Sequence, residues 1–194
     1  MKRFILICAL IFGLSSSVSA ISLIGSGITG AVCNTVVNQT TQDDSITIGS
    51  DASNQWGAQV FPSDGIYTVK TFYIMLAVNR TGDMAGQTIT ASLCTTAEGH
   101  PTETCTNADA TLDATTLTTT PTAYKFNIAA GYGLTAADYA VRIYQSKADL
   151  GDYILFYYYA TGAKNMDYND DPATGWTTKD STATAYIVAK DCVE

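Results

Sequence analysis

Residues 72–78, Phe-Tyr-Ile-Met-Leu-Ala-Val, are apolar on both sides of an extended chain. The side chains of a strand alternate between its two faces, and one face here would carry Phe72, Ile74, Leu76 and Val78. The opposite face is also apolar, which is typical of a strand in the middle of a sheet. A second run of this kind covers residues 154–159, Ile-Leu-Phe-Tyr-Tyr-Tyr, and its aromatic side chains favour strands.

Three other stretches alternate apolar and polar residues with a period of two: 88–93, 124–128 and 139–144. This pattern is typical of antiparallel strands that turn one face to the core and the other to water. We therefore expect Ile89, Ala91 and Leu93 to be buried. A last strand is predicted over residues 185–189, Ala-Tyr-Ile-Val-Ala.

Glycine-containing turns separate these strands, for example at residues 99–101 and 131–133. No stretch keeps the period of a long helix, although Thr135–Asp138 could form one short helical turn. The threonine-rich segment 111–122 is predicted to be a solvated loop or an edge strand. The sequence thus predicts a single all-β domain, an antiparallel β-sandwich of roughly seven to nine strands.

The first twenty residues have the three parts of a secretory signal peptide. Lys2 and Arg3 precede the apolar run Phe4–Leu14, and Val18-Ser19-Ala20 forms a small-residue cleavage site. That run is shorter than the roughly 20 residues that span a bilayer. We expect cleavage near Ala20, no membrane span, and a secreted, extracellular or periplasmic protein. The predicted organisation is a signal peptide over 1–20, an N-terminal arm or edge strand over 21–43, and the sandwich domain over 44–194.

The chain is acidic, with 10 Lys and Arg against 18 Asp and Glu and a net charge of −8. Binding to nucleic acid needs clustered cations, so this class of partner is not expected. An acidic surface keeps an exported protein soluble and repels anionic partners.

Four cysteines follow the predicted cleavage site: Cys33, Cys94, Cys105 and Cys192. An even number in an exported chain predicts disulfides, and three pairings are open. We favour Cys94–Cys105, which closes a polar loop, and Cys33–Cys192, which joins the two ends. A zinc site is disfavoured because the chain has no C-x-x-C motif and His100 is its only histidine.

Five short motifs follow one another along the chain: Trp56–Phe61, Gly86–Leu93, Gly99-His100-Pro101, Leu134–Val141 and Trp176-Thr177. In this order they resemble the jelly-roll β-sandwich domain of bacterial secreted "choice-of-anchor" proteins, which is similar to carbohydrate-binding modules. The resemblance covers roughly residues 50–190. It implies a jelly-roll connectivity and extracellular display, and it supplies no catalytic residue.

Aromatic residues are the first candidates for a ligand surface. The chain has twelve tyrosines, and rings exposed on a sandwich can stack on sugars. The candidate ligand-binding residues are Tyr153, Tyr157, Tyr158, Tyr159, Tyr168 and Trp176. Because strand side chains alternate, Tyr158 must point away from Tyr157 and Tyr159.

A calcium site is the second candidate, since Asp167, Asn169 and Asp171 recur at every second position. Pro172 and Thr178 occupy positions where an EF-hand loop has glycine and glutamate. An Asx-rich turn without metal is therefore the favoured interpretation, and no cofactor is predicted.

Catalysis is the least favoured function, because a Ser-His-Asp hydrolase could use only His100 and the acidic candidate Glu103 lies in the same loop. The sequence predicts a non-catalytic binding or display module, with a carbohydrate or a cell-surface ligand as partner. The alternative is a structural subunit of an extracellular or virion assembly, in which the arm adds a strand to a neighbour. The oligomeric state is not predicted.

Overall fold

The computed structural model describes residues 33–50, 55–80, 84–147, 151–169 and 175–193. All of them belong to one compact unit, Ala31–Glu194. The predicted signal peptide and the first part of the predicted arm lie outside the described residues.

The regular elements of the described residues are twelve strands and one short 3₁₀ helix. The strands are β1 Thr35–Gln39, β2 Asp44–Ile48, β3 Trp56–Pro62, β4 Tyr67–Arg80, β5 Thr88–Ala97, β6 His100–Asn107, β7 Leu112–Asp113, β8 Thr122–Leu134, β9 Asp138–Gln145, β10 Asp152–Asn169, β11 Thr177–Ala185 and β12 Ile187–Lys190. The predicted all-β fold is confirmed, with more strands than expected because short edge strands join the sheet. The helix spans Ala114–Thr116. The helical turn predicted at Thr135–Asp138 is wrong, because that segment is a tight bend closed by the Ala137 N–H on the Thr135 carbonyl.

All strand pairs are antiparallel, and the main path of hydrogen bonding runs β1-β12-β4-β10-β3-β9-β5-β6. Strand β10 is the longest, with 18 residues. Its first half pairs with β4 and β2, its second half pairs with β3, and β11 pairs with β10 from Tyr158 to Tyr168, across both halves. Strand β10 therefore belongs to both layers of the sandwich: a first layer around β4 and β12, and a second layer around β3, β9 and β5.

One hydrophobic core lies between the two layers. Ile89, Ala91 and Leu93 are fully buried in it, as the period-two pattern predicts. The Phe72 and Phe126 rings stack in the first layer with centroids 5.5 Å apart. The Tyr132 ring of β8 and the Tyr139 ring of β9 meet edge to face, with their centroids 6.0 Å apart. This contact links the two layers.

The hairpin of β5 and β6 folds back over the outer face of the second layer. Its two-residue turn consists of Glu98 and Gly99, both with positive φ (52° and 81°), as a type I′ turn requires. Beneath the hairpin, Cys105 packs on a second small cluster formed by Val60, Cys94 and Ala140. The prediction that β9 turns one face to water is therefore wrong at Ala140 and Arg142, which are 0% and 9% exposed.

Both predicted disulfides are confirmed. Cys33 and Cys192 are bonded with their Cα atoms 5.3 Å apart, and Cys94 and Cys105 with theirs 4.0 Å apart. The first bond joins the start of β1 to the end of β12, which are antiparallel neighbours. Part of the predicted N-terminal arm, Thr35–Gln39, is thus a strand of the sheet.

A buried glutamine ties three segments of the chain together. The Gln145 side chain is fully buried. Its amide N–H groups donate to Gln87 Oε1 at 2.6 Å and to the Asp152 and Lys147 carbonyls at 3.0 Å. Its Oε1 accepts from the Ile154 N–H at 3.1 Å. Gly49 has a φ of +85°, and a Cβ there would overlap the Gln145 amide. The fold therefore has no room for a side chain at position 49 while Gln145 keeps its place.

Replacing Gln145 by leucine is expected to lower the free energy of unfolding by about 3 kcal/mol, because buried polar groups lose their partners. Urea denaturation of the two proteins measures the difference. The matched control is Gln42→Leu, since Gln42 Oε1 is buried without a hydrogen bond. An equal loss in both variants would contradict the role given to Gln145.

Removing the Cys33–Cys192 bond is expected to cost more stability than removing Cys94–Cys105. The sequence separations are 159 and 11 residues, and loop entropy gives about 5 and about 3 kcal/mol. The measurement is the unfolding free energy of the two double Cys→Ala variants. A larger loss for Cys94→Ala/Cys105→Ala would show that the buried hairpin contacts, rather than chain entropy, dominate.

Candidate functional site

The first half of β10 separates its aromatic residues between the core and the outer surface. Ile154, Phe156 and Tyr158 point inward and are 0–2% exposed. Tyr153, Leu155, Tyr157 and Tyr159 alternate with them and are half-buried on the outer face. Tyr158 is thus a core residue and is removed from the candidate ligand surface.

The inward tyrosine keeps a polar contact at its tip. The Tyr158 hydroxyl donates to Asp44 Oδ2 at 3.2 Å. Burial, together with the charge of Asp44, raises the pKa of the Tyr158 hydroxyl well above its usual range. On the outer face, the Tyr153 hydroxyl accepts a hydrogen bond from Asn79 Nδ2 of β4, which holds that ring against the neighbouring strand.

Neighbouring strands extend the outer row of β10 into a broad face. The strand registers place Tyr73 beside Val188 of β12 and Lys125 of β8, and Lys190 Nζ lies 5.4 Å from the Tyr73 ring centroid. We call this surface the tyrosine face; its half-buried members are Tyr73, Tyr153, Leu155, Tyr157, Tyr159, Tyr186 and Val188.

A pocket of about 370 Å³ lies at one end of the tyrosine face. Tyr159 forms one wall, and the other lining residues are Asn38, Gln39, Thr40, Thr41, Gly162, Thr184 and Ala185. Gly162 allows β10 to approach β11 here, because a Cβ would clash with the Thr184 hydroxyl and the Ala183 backbone. Gln39 Oε1 is buried and has no hydrogen-bond partner. The pocket thus combines one aromatic wall with amides, hydroxyls and an unsatisfied acceptor.

The remaining aromatic candidates lie elsewhere in the fold. Tyr168 belongs to the second half of β10, where its backbone pairs with Gly57 and Thr177. Trp176 is half-buried directly before β11. The structure therefore brings Tyr153, Tyr157 and Tyr159 together, and places Tyr168 and Trp176 at the opposite end of β10.

The calcium candidate does not form a turn up to Asn169, because Asp167 and Asn169 are part of β10. Asp167 is fully buried, and its Oδ2 lies 2.9 Å from His100 Nδ1. Asp167 and Asn169 therefore lie in a strand rather than in the favoured turn. One Asp167 oxygen is engaged by the imidazole, and the other, Oδ1, is buried without a hydrogen bond. Asp171 lies outside the described residues.

The His100 and Asp167 side chains also connect the folded-back hairpin to β10. Asn165 Nδ2 donates to the Gly99 carbonyl at 2.8 Å beside them, and Lys164 Nζ pairs with Asp138 Oδ2 at 2.6 Å. Burial raises the pKa of the Asp167 carboxyl, and the contact with His100 limits the rise. A carboxylate on Nδ1 is the arrangement of a catalytic triad. Within the described residues, however, the hydrogen bond of His100 is to Asp167, and no serine completes a triad.

Other polar residues lie on the same outer face of the second layer. The registers align Asp167 and Ala58 with Arg142 and Ser92. Arg142 lies over the Trp56 ring, 4.7 Å from its centroid, and Trp56 stacks on Tyr144 at 4.3 Å. We call this surface the charged face; its members are Trp56, Ser92, His100, Arg142, Tyr144 and Asp167. Sequence reasoning missed it as a site, because Ser92 and Arg142 occupy positions predicted to face water.

Neither a membrane helix nor an open metal cluster appears among the described residues. The single helix there is one 3₁₀ turn, which is far too short to cross a bilayer. The one metal-like group in the same residues is Cys33, Asp191 and Cys192, and its two sulfurs form the disulfide. They therefore offer no thiolate.

Comparisons with protein-family models, with curated proteins and with solved structures find no match for this chain.

Replacing Asp167 by asparagine is expected to remove a pH dependence of stability. Because the folded state raises the pKa of Asp167, the folded protein keeps a proton that the unfolded chain loses above about pH 4. The stability that Asp167 contributes is therefore fully present below about pH 4. It falls as the pH rises from there through the raised pKa of the folded state. Urea denaturation across this range should show a flatter profile for Asp167→Asn.

Asp138→Asn is the matched control for this experiment, because Asp138 forms an ion pair with Lys164 that is about one third exposed on both sides. Exposed pairs contribute little to stability. A profile that is flattened by Asp138→Asn and not by Asp167→Asn would contradict the assignment.

Proposed function

We propose that this protein is an exported, non-catalytic binding module whose tyrosine face binds a neutral glycan. The observation that carries the proposal is the pocket at Tyr159. Its volume of about 370 Å³ lies within the usual range for small-ligand sites, roughly 300–1,000 Å³. An aromatic wall can stack on a sugar ring, while amides and hydroxyls bind its hydroxyl groups.

The unsatisfied oxygen of Gln39 supports a ligand that donates hydrogen bonds. A buried acceptor without a partner costs free energy, and Gln39 Oε1 is such an atom in the wall of this pocket. A sugar hydroxyl can donate to this oxygen once the Gln39 side chain rotates it out of its buried position. Asn38 and Thr184 line the same pocket and can both donate and accept.

The outer row of β10 supports a ligand longer than one sugar unit. Tyr157 lies opposite Ser45 of β2, and Tyr153 lies opposite Asn79 of β4. Outward residues two positions apart on a strand are separated by about 7 Å. Tyr157 and Tyr159 are spaced in this way, and Tyr153 lies about 14 Å from Tyr157 with Leu155 between them, so the row offers several apolar surfaces beside polar neighbours. The net charge of −8 favours a neutral glycan over an anionic one.

Export is the part of the proposal that concerns location. The sequence begins with the pattern of a signal peptide, and the fold carries two disulfides, which persist in oxidising compartments. The resemblance to choice-of-anchor domains points the same way. We also propose that the strands are connected as in a jelly roll and that the domain is related to carbohydrate-binding modules. The proposed function includes no catalysis.

Replacing Tyr159 by alanine is expected to weaken glycan binding at least tenfold, a loss of about 1.4 kcal/mol. The disulfide-bonded protein without residues 1–20 is screened on immobilised neutral polysaccharides, and the affinity for a retained oligosaccharide is measured by calorimetry. Gln39→Leu should also weaken binding without loss of folding stability, because it removes an unsatisfied polar atom.

Two control variants keep the interpretation specific. Tyr158→Phe removes a hydroxyl from the core side of the same strand, and Ile66→Ala alters an apolar side chain that is 86% exposed outside the tyrosine face. Both should bind as the parent protein does. Failure of the parent protein to bind any glycan, or full binding by Tyr159→Ala, would refute the proposal.

A further inference from the structure

We propose a second ligand site on the charged face, where Arg142, with Trp56 and Tyr144 beside it, binds the carboxylate of a small organic acid. The site lies on the opposite side of the sandwich core from the tyrosine face and does not depend on the glycan proposal. Its components come from β3 and β9, two adjacent strands in the centre of the second layer.

Arg142 is a buried cation with little compensation from protein groups. The residue is only 9% exposed, and its Nε donates to Ser92 Oγ at 3.2 Å. A guanidinium has five N–H donors. Within the described residues, the bond to Ser92 is the one hydrogen bond that the Arg142 side chain makes. No carboxylate of these residues lies within 4.0 Å of the guanidinium. Buried charges in proteins are normally paired and hydrogen-bonded. The terminal nitrogens of Arg142 are not among the buried side-chain atoms that lack a partner, so their open donors are accessible to an anionic ligand.

Arg142 lies between a covered part of the sheet and a more exposed one. On one side, the folded-back hairpin covers Val60, Ala140 and Cys94, which are all fully buried. On the other side, Trp56 and Tyr144 are half-buried. Arg142 thus lies where the cover of the hairpin ends and an aromatic wall begins. A ligand seated there would place its charge on the guanidinium and its apolar part along the rings.

The charges around the site favour a monoanionic carboxylate over a phosphate. A guanidinium matches the two oxygens of a carboxylate with parallel hydrogen bonds. Glu103 of β6 is exposed and close enough to raise the pKa of Arg142, although burial has the larger effect and lowers it. The Glu103 carboxylate would repel a dianion more strongly than a single carboxylate.

Tryptophan fluorescence can test the site directly. The chain has two tryptophans, so Trp176→Phe leaves Trp56 as the sole tryptophan, whose emission is excited selectively at wavelengths that tyrosine does not absorb. This variant, disulfide-bonded and without residues 1–20, is titrated with cyclohexanecarboxylate, with its neutral carboxamide and with inorganic phosphate. We expect saturable quenching by the carboxylate and at least tenfold weaker responses to the other two. Equal responses to carboxylate and carboxamide, or no response to either, would overturn the proposal.

Variants at the charged groups separate this site from the tyrosine face. In the Trp176→Phe background, Arg142→Lys keeps the charge but loses the two-pronged geometry, and we expect at least a tenfold weaker affinity for the carboxylate. Glu103→Gln alters an exposed side chain and should tighten binding several-fold by removing repulsion, which tests the site even if Arg142 variants fail to fold. Tyr159→Ala should leave carboxylate binding unchanged. A carboxylate affinity that falls with Tyr159→Ala and is unaffected by Glu103→Gln would refute the proposal, whatever the outcome for glycans.

Discussion

The fold depends on one constraint: strand β10 must supply backbone hydrogen bonds to both layers of the sandwich. Its first half is bonded to β4 and β2 and its second half to β3, while β11 runs beside both halves. The register shifts between Tyr159 and Lys164 mark the passage from one layer to the other. Gly162 lies in this passage, where a side chain would collide with β11. The alternation of β10 then determines which tyrosines enter the core and which reach the surface.

The two faces of the molecule use polar residues in different ways. On the tyrosine face, half-buried rings surround neutral amides and hydroxyls. On the charged face, Asp167 and Arg142 are buried at positions that a two-layer sandwich normally turns to water. They are buried because the β5–β6 hairpin covers part of this layer, held by the Cys94–Cys105 bond and by the contact between His100 and Asp167. A third partial layer therefore converts an outer sheet surface into a partly enclosed one.

Local pattern was sufficient for the strands that form most of the core, whereas strands such as β2 and β11 were not predicted. The alternation around Ile89 and the two-sided apolar run at Phe72 predicted the core, and the positions of Cys33 and Cys192 favoured the pairing that is present. Long-range contacts were not predictable in the same way. Nothing near Arg142 in sequence indicates that a hairpin from another part of the chain will cover it. His100 read as a loop residue because its partner, Asp167, lies 67 positions away. The candidate tyrosines could be named, but only the course of β10 separates Tyr158 from Tyr157 and Tyr159.

The covalent link between Cys33 and Cys192 also determines how the domain responds to mechanical load. The two sulfurs bracket every described strand, and β1 and β12, which they join, are direct neighbours. Tension applied to the chain on either side of this pair would pass through the sulfur–sulfur bond and leave the intervening sheet unstretched. The sandwich would therefore keep its shape under pulling as long as the bond stays oxidised. A reducing environment would expose the same strands to the full force.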